Sequence, residues 1–399
     1  MSVFTVPACR LYQFAYRAFR PRRTERQTVE DGTGAVFSAA QLLRLSRLRK
    51  PMVVCAAGDA AAREKVLHAL VESDIEYALW DADGRGAAED SAQALRLAWA
   101  RAACDSFIAL GDAGTIDLVK VAAALAATRG RRLMSLVGRN RLRRSITPTI
   151  AIPTAGSGAE SLAWASFTDA GDDRHVIADS GMIPPYLIDD PELLETVSRP
   201  TLARAVFDGL CLAVEAYLSG FADDASRACA ADAVRGFLAN AEPCWNSGGT
   251  LSQRSALMTA SRLAGEAASR TGPGYARALS RSAARVLGDD PGDLCAVLLP
   301  AVLAKYGNRA SRRLSELAGV CGLTGETPAA AANALIDRMR QLAFRLGLPE
   351  AVDTPAPDAI RQIGERAASV INPRCACPAV WTSSKCAAVF RAACGVDHT

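Results

Sequence analysis

The chain has 399 residues, half of them apolar and 22% charged, a composition that excludes a disordered or collagen-like chain and suits two globular domains with a large core. No apolar run reaches the roughly 18 residues of a membrane span, and the first residues lack a signal peptide's basic head and apolar stretch, so a cytoplasmic protein is expected. The net charge of +4 is uneven: residues 1–50 carry ten basic and three acidic side chains, which leaves the rest slightly acidic and argues against a nucleic-acid partner.

Residues 1–28 read as an appendage. Leu11, Phe14, Ala15, Ala18 and Phe19 fall near helical spacing among Arg10, Arg17, Arg20, Arg22 and Arg23, predicting a short basic amphipathic helix that ends before Pro21. Residues 10–23 suit docking to a membrane surface or a partner, and equally a helix that packs on its own domain. From residue 52 apolar runs alternate with helical stretches. Runs at 52–55, 77–80, 106–110 and 147–153 read as strands; 60–71, 88–103 and 116–127 read as helices. That alternation predicts βαβ units and a parallel sheet, whose ligands bind at the carboxyl ends of the strands. After about residue 189 the alternation stops, and Ala-, Leu- and Arg-rich stretches predict helices at 191–241, 251–270, 274–287, 294–306, 309–320 and 328–346. The expected domains are the 1–28 extension, a Rossmann-like nucleotide-binding domain at 29–188 and a helical domain at 189–399. The 12 scattered cysteines read as reduced thiols filling core space. Only Lys50, Lys65, Lys120, Lys305 and Lys385 break a strong preference for arginine.

Two small-residue loops carry the candidate cofactor chemistry. Gly111, Asp112, Ala113, Gly114 and Thr115, with Asp117 beyond, join a strand end to a helix start, where free backbone N–H groups favour a phosphate. Residues 152–160 follow another strand; Thr154 and Ser157 are placed to reach a ligand, and the Gly-x-Ser-x-Gly spacing of a nucleophile elbow is absent. In the helical half Asp208 and Leu212 lie one turn apart and share a face.

The order of these segments resembles the iron-containing alcohol dehydrogenase family, from about Glu30 to Ala393. The resemblance rests on Ala109-Leu110-Gly111 with Asp117 and Lys120, on Ile152-Pro153-Thr154 with Gly156 to Glu160, and on Ala178-Asp179 with Leu187 to Leu193. It continues through Asp208 with Glu215-Ala216-Tyr217, Leu298-Leu299-Pro300 and Ile371 to Arg374. It implies the dehydroquinate synthase-like architecture: an α/β domain with a parallel sheet that binds NAD(P), then an all-α domain with a divalent metal held by one Asp and three His. It also implies an oxidoreductase acting on alcohols or aldehydes, and a homodimer or larger assembly.

The sequence departs from that pattern at named positions. The family's aspartate matches Asp208, but its first ligand histidine matches Leu212. The Gly-x-x-His-x-x-x-His stretch matches Gly274 to Arg281, so Arg277 and Arg281 stand at both histidine positions. The third ligand position falls at Pro291, and a further family histidine at Ala301. The glycine-rich phosphate loop gains side chains at Asp112 and Ala113. From these departures no iron or zinc is expected, and NAD(P) binding is expected to be weakened. Two functions follow as expectations. One is a metal-independent reductase in which Arg277 and Arg281, oriented by Asp208, hold a carbonyl or carboxylate and Tyr217 donates a proton. The other is a pseudoenzyme serving as a binding or regulatory subunit. In both, Asp208 pairs with arginine, because an unpaired buried acid is costly.

Overall fold

Short apolar runs that are hydrophobic on both faces can be buried only inside a parallel sheet covered by helices. The computed structural model, which describes residues 6–19, 27–83, 86–128, 131–171 and 173–394, places them there. Its strands are β1 (Thr28–Asp31), β2 (Pro51–Ala56), β3 (Ala78–Ala82), β4 (Ser106–Gly111), β5 (Gly138–Arg139), β6 (Thr149–Pro153), β7 (Trp164–Thr168), β8 (Arg174–Ala178) and β9 (Tyr186–Asp189). Six form a parallel sheet in the order β1-β9-β6-β4-β2-β3, while β5, β8 and β7 make a small side sheet. β4 and β6 at the centre are buried at every residue.

The chain forms two compact units. The sheet unit spans Arg23–Ser198 and Gly248–Arg262. The helical unit takes Met1–Arg22, Arg199–Ser247 and Leu263–Thr399. The N-terminal segment therefore groups with the helical unit, and a piece of the helical sequence groups with the sheet. Helix α1 (Val6–Phe19) belongs to the helical unit, and α2 (Ser38–Leu45), α3 (Ala60–Glu72), α4 (Glu89–Arg101) and α5 (Ala113–Ala127) to the sheet unit. The helical unit continues with α6 (Arg199–Leu218), α7 (Asp224–Ser247), the second half of α8 (Leu251–Thr271), α9 (Tyr275–Leu287), α10 (Pro291–Tyr306), α11 (Asn308–Val320), α12 (Pro328–Arg345), α13 (Pro357–Ile371) and α14 (Ser383–Ala393). Among the described residues no helix is long and apolar enough to cross a membrane.

α1 packs on its own unit, and not by the face the spacing suggested. Cys9, Gln13 and Tyr16 turn inward: Gln13 Nε2 donates to Cys375 O at 2.7 Å, and the Tyr16 ring meets Phe221 at 5.2 Å. Arg10 donates to Cys377 O at 3.2 Å. Leu11 and Phe14, expected to pack, are 71% and 75% exposed. The carbonyls of residues 375–378 need donors, and the polar stripe of α1 supplies them. Of the proposed docking segment 10–23, residues 20–23 lie outside the described residues.

Candidate functional site

In the sheet unit the strand order reverses beside β2: its connection leads to β3 on one side, and β4 lies on the other. The turns after β2 and β4 therefore open side by side at the carboxyl edge, the usual ligand crevice of such a sheet. Gly111 ends β4 with φ of 146°, a conformation that favours glycine. A Cβ there would come within 3.0 Å of Asp59 Oδ2 and 3.1 Å of the Thr115 side chain. Asp112 is the N-cap of α5, and its Oδ1 accepts from Thr115 N at 2.9 Å. The acid expected beside a pyrophosphate thus satisfies its own helix end. Ala113 and Gly114 open that helix, and Gly114 sits so near Gly86 that a Cβ would lie 3.1 Å from its Cα. Burial raises the pKa of the Asp59 carboxyl; a hydrogen bond from Thr154 opposes this, and the charge of Asp112 adds to it. The edge therefore gathers two acids at a helix N-terminus. Asp59 was not among the expected cofactor residues; the reversal of strand order beside β2 is what brings it there.

Thr154 N donates to Gly111 O at 3.0 Å, tying the loop after β6 to the end of β4. Beyond it, the loop holding Ser157 is clamped from three directions. Gly158 N donates to Ser261 Oγ at 2.8 Å, and Ser261 Oγ donates to Glu160 Oε1 at 2.5 Å. The fully buried Lys120 donates to the carbonyls of Ala159, Leu162 and Trp164 at 3.1, 2.8 and 2.7 Å. Asp189 lies 3.4 Å from Arg262. Burial pushes Asp189 up to about 8, with the charge of Glu160 adding and Arg262 opposing. Glu160 Oε2 and Asp189 Oδ1 have no hydrogen-bond partner among the described residues. Asp117, expected as a cofactor contact, accepts at Oδ2 from Ser166 N at 3.1 Å and Ser166 Oγ at 3.0 Å, which pins β7.

In the helical unit, residues 208, 211, 212 and 215 of α6 share one buried face. Arg277 Nη1 donates to Asp208 Oδ1, and Arg281 Nη2 donates to Oδ2 at 2.7 Å. One carboxylate thus meets two guanidinium groups one turn apart on α9. Cys295 Sγ lies 3.9 Å from Asp208 Oδ1, and Leu212 is buried. Pro291 is the first residue of α10, capped by Asp290, whose Oδ1 accepts from Gly292 N at 2.7 Å.

Sequence reasoning missed the role of Glu215. Its Oε2 accepts from Gly274 N at 2.8 Å and its Oε1 from Ala276 N at 2.7 Å, so it caps the helix that presents Arg277 and Arg281. The available signal was a second acid seven residues after Asp208 in an otherwise apolar run. Burial pushes Glu215 up to about 7 against the pull of those backbone donors. The expectation that Tyr217 supplies a proton here is corrected. Nine residues from Asp208 is two and a half helical turns, which puts its side chain on the opposite side of α6. Burial raises its phenol, and its charged neighbours are Glu316, Arg313 and Arg227.

Comparison with known proteins gives these positions a context. Residues 27–191 match the family model of iron-containing alcohol dehydrogenase, and residues 202–378 match that of the C-terminal region of the Fe-containing alcohol dehydrogenase family. The chain is 27% identical to 1,3-propanediol dehydrogenase of Klebsiella pneumoniae, over 80% of this chain and 84% of that protein. It is 26% identical to NAD-dependent methanol dehydrogenase of Bacillus methanolicus, over 80% of this chain and 85% of that protein. A solved structure of 1,3-propanediol oxidoreductase superposes with a TM-score of 0.86 at 25% identity, covering 92% of this chain and 97% of the other.

These matches correct the expectation of a chain without iron. The models carry iron in their description, and the methanol dehydrogenase is NAD-dependent, so iron and NAD are the cofactors that go with this family. In the arrangement seen, both Asp208 oxygens are engaged by guanidinium, and no three His, Cys, Asp or Glu side chains among the described residues gather as a metal site. The donor set around Asp208 therefore differs from the one the resemblance implies. The two models together run through both units in sequence order, and the chain belongs to the iron-containing alcohol dehydrogenase family.

Proposed function

We propose that this chain is an NAD(P)-linked oxidoreductase for small alcohols or the corresponding aldehydes whose ordinary alcohol dehydrogenase turnover is low. The names of its relatives support the reaction and substrate class. The observation that carries the low turnover is the engagement of both Asp208 oxygens by Arg277 and Arg281. A reacting oxygen is stabilised by preorganised donors aimed at the place where its charge develops. Here each guanidinium has a donor aimed at the Asp208 carboxylate instead of at a substrate oxygen. In the proposal, Gly111 to Thr115 and Thr154 form the dinucleotide edge, and the remaining donors of Arg277 and Arg281 orient a carbonyl or carboxylate oxygen.

A second reading, a binding or regulatory subunit, draws support from the carboxyl edge of the sheet. There Asp112 and Asp59 put negative charge where a dinucleotide phosphate would lie. The proposal retains a homodimer in the cytoplasm with an N-terminal docking segment, on the strength of the resemblance and the basic N-terminal sequence.

The test is NADH and NADPH binding by nicotinamide fluorescence, followed by aldehyde reduction with and without added ferrous iron. A relative such as 1,3-propanediol dehydrogenase is assayed beside it. Cofactor binding with rates about a thousandfold or more below the relative, a loss of about 4 kcal/mol of transition-state stabilisation, supports the proposal. Rates within about tenfold of the relative overturn the low turnover. Absence of cofactor binding by the folded protein selects the second reading.

A further inference from the structure

Two of the chain's five lysines open onto one cavity of about 400 Å³ in the helical unit, together with Arg309. Lys305 lies in the last turn of α10, Arg309 in the first turn of α11 after the bend at Gly307, and Lys385 in the first turn of α14. The three cations come from separate helices, and all three are exposed. No acidic side chain lines the cavity, and none of the three forms an ion pair among the described residues. The wall is aromatic. Trp381 packs against Tyr306 with ring centres 4.9 Å apart, and stacks on Tyr275 at 4.6 Å. Thr382 caps α14 by accepting from Lys385 N at 3.2 Å.

Convergent cations without a counter-charge repel one another, and a bound anion relieves that repulsion. The volume falls in the range of small-molecule sites. Arginine offers a planar fork for two oxygens, while lysine is a mobile point charge, a combination suited to a phosphoryl group. In a chain that otherwise prefers arginine, two lysines beside one arginine mark the spot. We propose that this cavity binds a small phosphorylated molecule, its phosphate held by Lys305, Arg309 and Lys385. The site is separate from the Asp208 cluster and stands independently of the proposed oxidoreductase activity.

Inorganic pyrophosphate is the probe, titrated by calorimetry at constant ionic strength, with quenching or enhancement of tryptophan emission as a second signal from Trp381. The expected result is saturable one-to-one binding with Kd below about 1 mM, weakened about tenfold or more in the Lys305→Ala, Lys385→Ala double variant. Both side chains are exposed, so the variant keeps the wild-type circular dichroism and melting temperature. Binding that is unchanged in this variant belongs to the loop after β4 and overturns the proposal. So does the absence of saturation up to about 10 mM pyrophosphate. Sedimentation with phosphatidic acid vesicles separates the sources of phosphate. Retention on vesicles without binding of soluble pyrophosphate makes the site a lipid contact and overturns the small-molecule assignment.

Discussion

Gly274 donates its backbone N–H to Glu215 Oε2 at 2.8 Å, and a Cβ at position 274 would come within 2.5 Å of that carboxyl group. The glycine is therefore set by a close approach between α6 and the start of α9, not by backbone conformation, since its φ is an ordinary −114°. Gly274→Ala forces the carboxyl group or the helix start to move and is expected to lower stability by about 1–3 kcal/mol. Glu215→Ala leaves buried N–H groups of Gly274 and Ala276 without acceptors, at a cost of about 1–3 kcal/mol. Urea denaturation reads both. Glu215→Gln keeps one acceptor oxygen and should fall between Glu215→Ala and wild type. A Glu215→Ala protein as stable as wild type would remove the cap from this account.

Asp208 pairs with two guanidinium groups in a buried setting, with 5% of its surface exposed, and offsets one of their two charges. Removing the acid alone leaves Arg277 buried with an uncompensated charge, so Asp208→Ala should cost about 3–5 kcal/mol. Replacing acid and base together, as Asp208→Leu with Arg277→Met, should recover a large part of that loss, because a well-packed apolar pair can match a buried ion pair. Denaturation of the two single variants and the double variant gives the coupling directly. Additive losses would show that the pair contributes nothing as a pair.

Much of the sheet unit was legible because its central strands β2, β4 and β6 are buried on both faces and read as short continuous apolar runs between helical stretches. The pairing of Asp208 with Arg277 and Arg281 followed from electrostatics: a buried acid needs a cationic partner, and both arginines stand at positions aligned to the same site. Less legible were features created only by folding. The packing face of α1 is polar because loop carbonyls near residue 375 need donors, which no hydrophobic spacing reveals. Asp117 resembles a loop contact in sequence, yet Ser166 lies 49 residues further along the chain. Tyr217 closes the Glu215-Ala216-Tyr217 triplet of the resemblance, but helical periodicity alone already points it away from Asp208.

The buried acids of the sheet unit make stability depend on pH. Burial lifts Asp189 from the ordinary aspartate value of 3.8 to about 8, so the folded chain holds this proton across that span. Between those limits the folded state binds more protons than the unfolded one, so stability falls as pH rises from about 4 to about 8. Glu160, also raised by burial, acts in the same direction. The melting temperature is therefore expected to drop by several degrees, roughly 3–8 °C, between pH 5.5 and pH 8.5, allowing for about 1–2 kcal/mol expressed at the transition. Asp189→Asn removes the titrating group and should flatten this slope while leaving the value at low pH near that of wild type. A slope of equal size in the variant would assign it to other groups.

Asp112 combines two roles that one substitution separates. Its side chain caps α5 through Thr115 N, and its charge sits at the helix N-terminus where a dinucleotide phosphate is expected. Serine is as good an N-cap as aspartate but carries no charge, so Asp112→Ser should leave stability within about 0.5 kcal/mol of wild type. Two like charges about 4 Å apart near a protein surface repel by about 4 kcal/mol, and each 1.4 kcal/mol is a factor of ten in affinity. Even a third of that repulsion predicts NADH binding about tenfold tighter in Asp112→Ser, read by nicotinamide fluorescence. Added salt screens the repulsion, so the gap between variant and wild type should narrow as ionic strength rises toward about 0.5 M. Adding Asp59→Asn should tighten binding further, because the second acid reinforces the first. An unchanged affinity in Asp112→Ser, at low and high salt alike, would mean that the cap holds the carboxylate clear of the phosphate and that Asp112 is no barrier to the cofactor.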